Sequence, residues 1–205
     1  MVRDGIYYAL ALSAGGALIA YLSGPWFTAW FAAPLFLAAI FCLNFFRDPD
    51  RDVPPGPVAV SPADGKVVAV TRESPVCTRV SIFLNIFDVH VNRTPISGKI
   101  VQVNYRPGKF LDARKAEASS QNEQNTITVE GDGVRVTFSQ IAGLIARRIV
   151  CYKKLGDTVA AGERIGLIKF GSRADIELGP EWDIVVRPGM HVSAGSSVIA
   201  RRVGA

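Results

Sequence analysis

Charge is missing from one long stretch of this chain. Of its 205 residues, the 42 from Gly5 to Phe46 include no Asp, Glu, Lys or Arg. Motifs for metal and nucleotide chemistry are missing too. There is no H-E-x-x-H, no phosphate-binding P-loop and no G-x-G-x-x-G. Cysteine is scarce, and Cys42, Cys77 and Cys151 show neither metal nor redox spacing. That excludes a disulfide-framed secreted domain and fits a reducing compartment. Only His90 and His191 supply imidazole. The net charge of +5 is not gathered into a basic cluster, which argues against nucleic acid and suits a domain resting on anionic lipid.

The uncharged stretch explains a positive mean hydropathy of +0.23. It is too long for a signal-peptide core. It divides at Ser23-Gly24-Pro25 into apolar runs over Ile6–Leu22 and Trp26–Phe46. The second has about the ~20 residues that cross a hydrocarbon core, and the first is near the lower limit. Tyr7, Tyr8, Trp26 and Trp30 are aromatics of the interfacial kind. Residues 1–46 are therefore expected to form a helical membrane hairpin, and 42 uncharged residues are too many for a buried core pair. Arg3 flanks one end and Arg47 and Arg51 the other, while the connector is uncharged. The positive-inside rule places both ends, and all that follows, at the cytoplasmic face of the cell membrane.

Residues 47–57 read as a polar, proline-rich linker. Residues 58–205 read as one all-β domain. Its expected strands are Lys66–Thr71, Thr78–Asn85, Lys99–Tyr105, Thr126–Glu130, Val134–Gln140, Arg147–Tyr152, Glu163–Phe170 and Asp183–Arg187. Gly131-Asp132-Gly133 marks a hairpin. Pro107–Asn125 is polar and reads as a mobile loop or short helix, with the size and position for a lid or a membrane-facing flap. Residues 156–165 match 189–198 at an offset of 33, with Gly, Val, Ala and Gly recurring in place. This G-x-x-V-x-A-G pattern resembles the turns of biotinyl/lipoyl-like domains. The expected architecture is thus a β-sandwich or barrel with biotinyl/lipoyl-like repeats behind a helical membrane hairpin. No Met-Lys or Asp-Lys carrier tip occurs.

Three short segments remain: Ser61-Pro62-Ala63-Asp64-Gly65-Lys66, Phe87–Gly98 with His90 and Arg93, and Lys169-Phe170-Gly171-Ser172-Arg173. Singly, each has an ordinary structural reading as a turn, a strand end or a loop. His191 lies inside the repeat, opposite Thr158, and reads as a turn residue. Together, and in this order behind an apolar hairpin, the three segments resemble the phosphatidylserine decarboxylase family, most of all its short bacterial and archaeal-type members. Phe45-Phe46-Arg47-Asp48-Pro49, Gly108-Lys109-Phe110-Leu111 and Gly143–Ile149 also look like family segments, so the resemblance covers essentially the whole chain.

The resemblance implies a proenzyme that cleaves itself at Gly171–Ser172 into a large chain 1–171 and a small chain 172–205. Ser172 becomes a covalently bound pyruvoyl group, with no metal and no nucleotide. That group is the electron sink for decarboxylating phosphatidylserine to phosphatidylethanolamine and CO2, the task pyridoxal phosphate performs elsewhere. Asp64 matches the carboxylate that supports the serine's activation. His90 matches a histidine associated with substrate handling and proton transfer. The family's second histidine falls on Arg93, and arginine is a poor general base. Either His90 serves both self-cleavage and decarboxylation, or the base lies elsewhere, His191 being the other imidazole. Arg93 then becomes a candidate for the substrate's carboxylate or phosphate. Longer members carry Leu-Gly-Ser-Thr where this chain has Phe-Gly-Ser-Arg.

Two other classes compete. A membrane-anchored serine protease with Ser172 and His90 would keep its own Ser172 intact. A non-enzymatic lipoyl-like membrane adaptor would also stay uncut. The expected partners are the phospholipid substrate, the membrane and the two chains of one precursor, with sheet edges that leave room for a homo-oligomer. A diacyl and an ether-linked serine lipid present the same headgroup.

Overall fold

Two compact units divide the chain, Met1–Pro49 and Asp50–Ala205. The computed structural model describes residues 1–22, 25–113, 115, 117–144, 148–169 and 172–204, with backbone alone for 25–29. The Ser23-Gly24 connector, Phe170 and Gly171 therefore lie outside the described residues.

In the first unit, α1 (Arg3–Leu22) packs against α2 (Pro25–Phe45). Glycine permits their close approach: a Cβ on Gly16 would lie 3.1 Å from the Phe36 ring. Tyr7, Leu10, Leu18, Leu37 and Ile40 point outward and are exposed. Such a surface is a liability in water and ordinary in lipid. Among the described residues, α1 is long and apolar enough to cross a membrane, and α2 contributes the shorter apolar stretch Trp30–Phe45. Arg47 closes the unit by donating to the Asn44 carbonyl and side-chain oxygens at the end of α2, where a cation meets the helix dipole.

The second unit is mostly β. Its strands are β1 (Val58–Val60), β2 (Gly65–Ser74), β3 (Cys77–Leu84), β4 (Val91–Arg93), β5 (Gly98–Arg106), β6 (Gln124–Gly131) and β7 (Val134–Ala142). They continue with β8 (Ile149–Cys151), β9 (Thr158–Val159), β10 (Arg164–Ile168), β11 (Ser172–Leu178), β12 (Trp182–Ile184), β13 (His191–Val192) and β14 (Val198–Arg202). One four-residue helix, α3 (Ala118–Gln121), lies between β5 and β6. An eight-stranded antiparallel sheet runs β13-β2-β3-β11-β7-β6-β5-β9. Two three-stranded sheets, β1-β14-β12 and β4-β10-β8, complete the unit. The core gathers Val67, Ile82, Leu84, Ile100, Ile127, Phe138, Ile165 and Ile176.

The large sheet curls because its edges meet. Strands β9 and β13 are opposite edges, yet the turns that follow them touch: a Cβ on Gly195 would lie 3.3 Å from the Gly162 Cα. Both glycines have positive φ, +73° at Gly162 and +77° at Gly195, a conformation that favours glycine. The bonding around the two turns is equivalent at an offset of 33. Gly162 N–H donates to Thr94 O and Gly195 N–H to Ser61 O. Ala161 N–H donates to Ser97 Oγ and Ala194 N–H to Asp64 Oδ1. Ile100 exchanges bonds with Gly156 and Asp157 as Val67 does with Gly189 and Met190. The repeat thus extends to Ser61–Val67 and Thr94–Ile100.

The β6–β7 hairpin turns on Asp132-Gly133, both at positive φ, the type I′ geometry its sequence favours. Two strand boundaries fall beside undescribed residues: β8 begins after 145–147, and β10 ends two residues before Phe170. Strand β11 was not among the expected strands, although it is central and flanked on both sides. Arg173, Asp175 and Glu177 alternate with apolar residues and look like a solvent-facing row. In the structure Arg173 and Asp175 are 5% and 3% exposed. They form a bidentate pair at 2.6 and 3.1 Å. Arg173 also donates to Ser81 Oγ and the Lys115 carbonyl, and Ser119 Oγ donates to Asp175. This buried pair fastens Lys115 and, through Ser119, α3 to the sheet.

Candidate active site

Strand register and one backbone hydrogen bond bring three of the sequence-derived residues toward one end of the large sheet. Ser172 opens β11 and pairs with Leu84, the last residue of β3, and Ala142, the last of β7. The chain leaving β3 carries His90 five residues after Asn85. His90 O accepts from Ile168 N–H at the end of β10, just before the segment that leads to Ser172. Asp64 stands immediately before β2, whose Lys66 pairs with Phe83. Asp64 and Ser172 are thus separated by about two strand spacings, ~10 Å.

Ser172 is fully buried and faces inward with Ala174 and Ile176. Among the described residues its Oγ has no hydrogen-bond partner. A buried hydroxyl in that state is costly for stability, so it is an informative position for a reacting group. Ala142 and Ile168 form a small apolar cluster with Phe110 and Ile149 beside it. His90 is 1% exposed, and its Nδ1 lies 2.9 Å from the Asp88 carbonyl. That contact fits an Nδ1–H donor, which would leave Nε2 as the basic nitrogen.

Asp64 uses both carboxylate oxygens. Oδ1 accepts from Ala194 N–H at 2.7 Å and Oδ2 from Arg51 Nη2 at 2.7 Å. Burial pushes its carboxyl above the ordinary range, the Ala194 amide and the Arg51 guanidinium pull it back, and nearby Asp88 adds a smaller push upward. At the equivalent position Ser97 caps its turn with a single oxygen. The turn therefore explains one oxygen of Asp64 and leaves the second for another task.

Arg93 lies at the other end of β4. It pairs with Arg164, whereas Val91, next to His90, pairs with Leu167. Its Nη1 donates to Gly162 O, and its Cδ occupies space that a Cβ on Gly195 would need. Arg93 thus staples the two repeat turns. It also lines a cleft of about 450 Å³ with Arg51, Lys153, Arg164, Asp50 and Glu163. The structure does not gather Arg93 with Ser172 and His90. His191 is on the edge strand β13, exposed and paired with Lys66, three strands from β11. Gly171 lies outside the described residues.

The sequence reading missed a buried chain of neutral amides. Asn125 Nδ2 donates to Gln140 Oε1, Gln140 Nε2 to Asn92 Oδ1, and Asn92 Nδ2 to Pro62 O, the last at 3.4 Å. All three side chains are at most 3% exposed. The chain joins β6 and β7 to the strand that follows His90 and to the turn that carries Asp64. Nothing in one isolated Asn or Gln announces this, because the partners are far apart in sequence.

A family model described as phosphatidylserine decarboxylase matches residues 38–200. The chain belongs to the phosphatidylserine decarboxylase family. Relatives named phosphatidylserine decarboxylase proenzyme agree with this over nearly the full length. One from Solibacter usitatus is 66% identical over 203 residues, covering 99% of this chain and 97% of the relative. One from Syntrophus aciditrophicus is 43% identical over 205 residues, covering 96% and 95%. One from Trichlorobacter lovleyi is 49% identical over 177 residues, covering 83% and 80%. These relatives support a decarboxylase of this family and give no support to a serine protease or a non-enzymatic adaptor.

Proposed function

We propose that this chain is a proenzyme that cleaves itself between Gly171 and Ser172 and then decarboxylates phosphatidylserine to phosphatidylethanolamine and CO2. The observation that carries this reading is Ser172 itself. It is a fully buried serine whose Oγ has no partner among the described residues, at a strand end shared with Asp64 and His90. In self-cleavage, Ser172 Oγ forms a bond to the Gly171 carbonyl carbon as the Gly171–Ser172 C–N bond breaks, giving an ester and a free amine. Elimination of the Gly171 carboxylate and hydrolysis of the remaining residue release ammonia and leave a pyruvoyl group at residue 172.

The inward-facing position, beside Ala142 on the neighbouring strand, fits a small carbonyl group there. Once formed, that group supplies the electron sink for loss of CO2 from a substrate amine. His90, held through Nδ1 by the Asp88 carbonyl, takes the proton from Ser172 and later returns one to the substrate carbon. Asp64, through its oxygen on Arg51, sets the local charge as the serine ionises. Arg93, in a cleft it shares with Arg51, Lys153 and Arg164, suits a substrate phosphate rather than the carboxylate that reacts at Ser172.

The equivalent bonding around the two turns supports the internal repeat, whose turns are like those of biotinyl/lipoyl-like domains in architecture. The apolar helices support a membrane anchor, with the β unit at the cytoplasmic face. The two cleavage products stay together through the β11 ladder, and the sheet edges leave room for a homo-oligomer. Release of labelled CO2 from carboxyl-labelled phosphatidylserine by the purified full chain tests the reading. Wild type is expected to release it and Ser172→Ala to release none. Equal release by both would overturn the reading.

A further inference from the structure

The sheet end that holds Ser172 is ringed by apolar side chains the chemistry does not use. Ile86, Phe87 and Leu144 are 36%, 69% and 66% exposed. Phe87 stands three residues beyond Leu84, and Leu144 two beyond Ala142. Those two strand ends are the register partners of Ser172, so both side chains belong to loops rooted within ~10 Å of it. Scattered exposed apolar residues are normal on any surface. Three on the two loops that leave the strands flanking Ser172 are a grouping of the kind that marks an interaction site.

The turn that displays Phe87 is held firmly. Asn85 N–H donates to Asp88 Oδ2, Phe87 N–H to Asn85 Oδ1, and Asp88 N–H to Asn85 O. Asp88 O meets His90 Nδ1. A phenyl ring is thus held out toward solvent by the same turn that orients the imidazole. Arg148, the first described residue after Leu144, is exposed, and Lys169 N–H donates to its carbonyl, so two basic residues meet on the chain that follows the Leu144 loop. Exposed apolar side chains with basic residues close by in the chain are the combination that enters an anionic phospholipid interface.

We propose that Phe87 and Leu144 form a rim that enters the acyl region of the bilayer. The mouth beside Ser172 is thereby seated at the headgroup level of a phospholipid surface. This rests on the reading of a phospholipid substrate. The rim supplies what that substrate requires, a route from the bilayer to a buried serine that avoids lifting a whole lipid through water.

The test is independent of turnover. In the full chain with Cys42, Cys77 and Cys151 replaced by serine, a fluorescent probe is attached at Phe87→Cys or at Val76→Cys. Val76 is equally apolar and 64% exposed, but it sits at the opposite end of β3. In vesicles containing phosphatidylglycerol, lipids brominated on the acyl chain should quench the probe at 87 and leave the probe at 76 bright. Quenching of both, or of neither, overturns the proposal. A second measurement uses Phe87→Ser combined with Leu144→Ser. The variant should cleave itself normally and act normally on monomeric short-chain phosphatidylserine, and lose about tenfold in kcat/KM on vesicles. Equal loss on both substrates overturns the rim and assigns the two residues to the catalytic site itself. A wild-type chain that releases no CO2 from either substrate contradicts the enzymatic reading, while the quenching result still decides the rim.

Discussion

Asp64 and Ser97 occupy equivalent places in the repeat, and comparing them separates scaffold from chemistry. Each caps a backbone N–H of the facing turn, and only Asp64 has a second oxygen, held by Arg51. Asp64→Ser, made together with Arg51→Met so that no charge is left unpaired, is therefore expected to keep the fold, with a melting temperature within a few degrees of wild type, and to slow self-cleavage at least tenfold. Ser97→Ala is expected to do the opposite. It should cost about 1 kcal/mol in chemical denaturation, a typical net hydrogen bond, and leave the cleavage rate unchanged. Equal effects on cleavage would reduce Asp64 to a turn residue. This distinction was only half visible in the sequence. The Asp64-Gly65 segment stood out, and so did the repeat of 156–165 in 189–198. The matching of Ser61–Val67 to Thr94–Ile100 is diluted by Ala63/Ile96 and Asp64/Ser97, and it is clear once the hydrogen bonds are paired. Arg93 shows the converse. Its place after His90 pointed to substrate, while its bond to Gly162 shows a structural duty that only the folded turns reveal.

At the scale of the element, β11 carries both the reacting serine and a buried ion pair. Removing one partner of such a pair costs about 3–5 kcal/mol where the charge left behind is unpaired, and here Arg79 Nε, 3.9 Å from Asp175, offsets part of that. Arg173→Met should therefore destabilise by less than that amount in denaturant unfolding. Arg173→Met with Asp175→Leu should recover most of the loss, and a double variant no better than the single one would contradict the pairing. Glu177, two residues on, faces the same side. Burial pushes its carboxyl up from 4.5, Arg79 offsets part of that, and Asp175 and Glu73 push it further. The folded state then holds this proton more tightly than the unfolded one. Its stability contribution is full below about 4.5 and is lost as pH rises through the raised value. Glu177→Gln should accordingly match wild type in melting temperature near pH 4 and exceed it increasingly toward pH 7; a constant difference would refute the assignment. The same three polar residues hid β11 from the sequence. Alternating charge reads as a wet face, and only Ser81 on the neighbouring strand, with Ser119 and Lys115 laid over it, turns it into a buried one. Asp132-Gly133, whose signal is local, was legible at once.

At the scale of the whole chain, two units of different solvent preference are joined: an apolar helix pair and a β unit with its own core. The long uncharged stretch made the first plain, because a long apolar helix is specified by composition alone. The second needed pairings across more than a hundred residues, which no local pattern encodes. Division at Ser172 turns one chain into two, so the intact mass of the purified protein under denaturing conditions reads it out without any assay of turnover. The expected result is two chains, 1–171 and 172–205, the smaller lighter by one ammonia than a chain beginning with free serine. A single uncut chain of 205 residues, or a small chain with a free serine at its start, would contradict it.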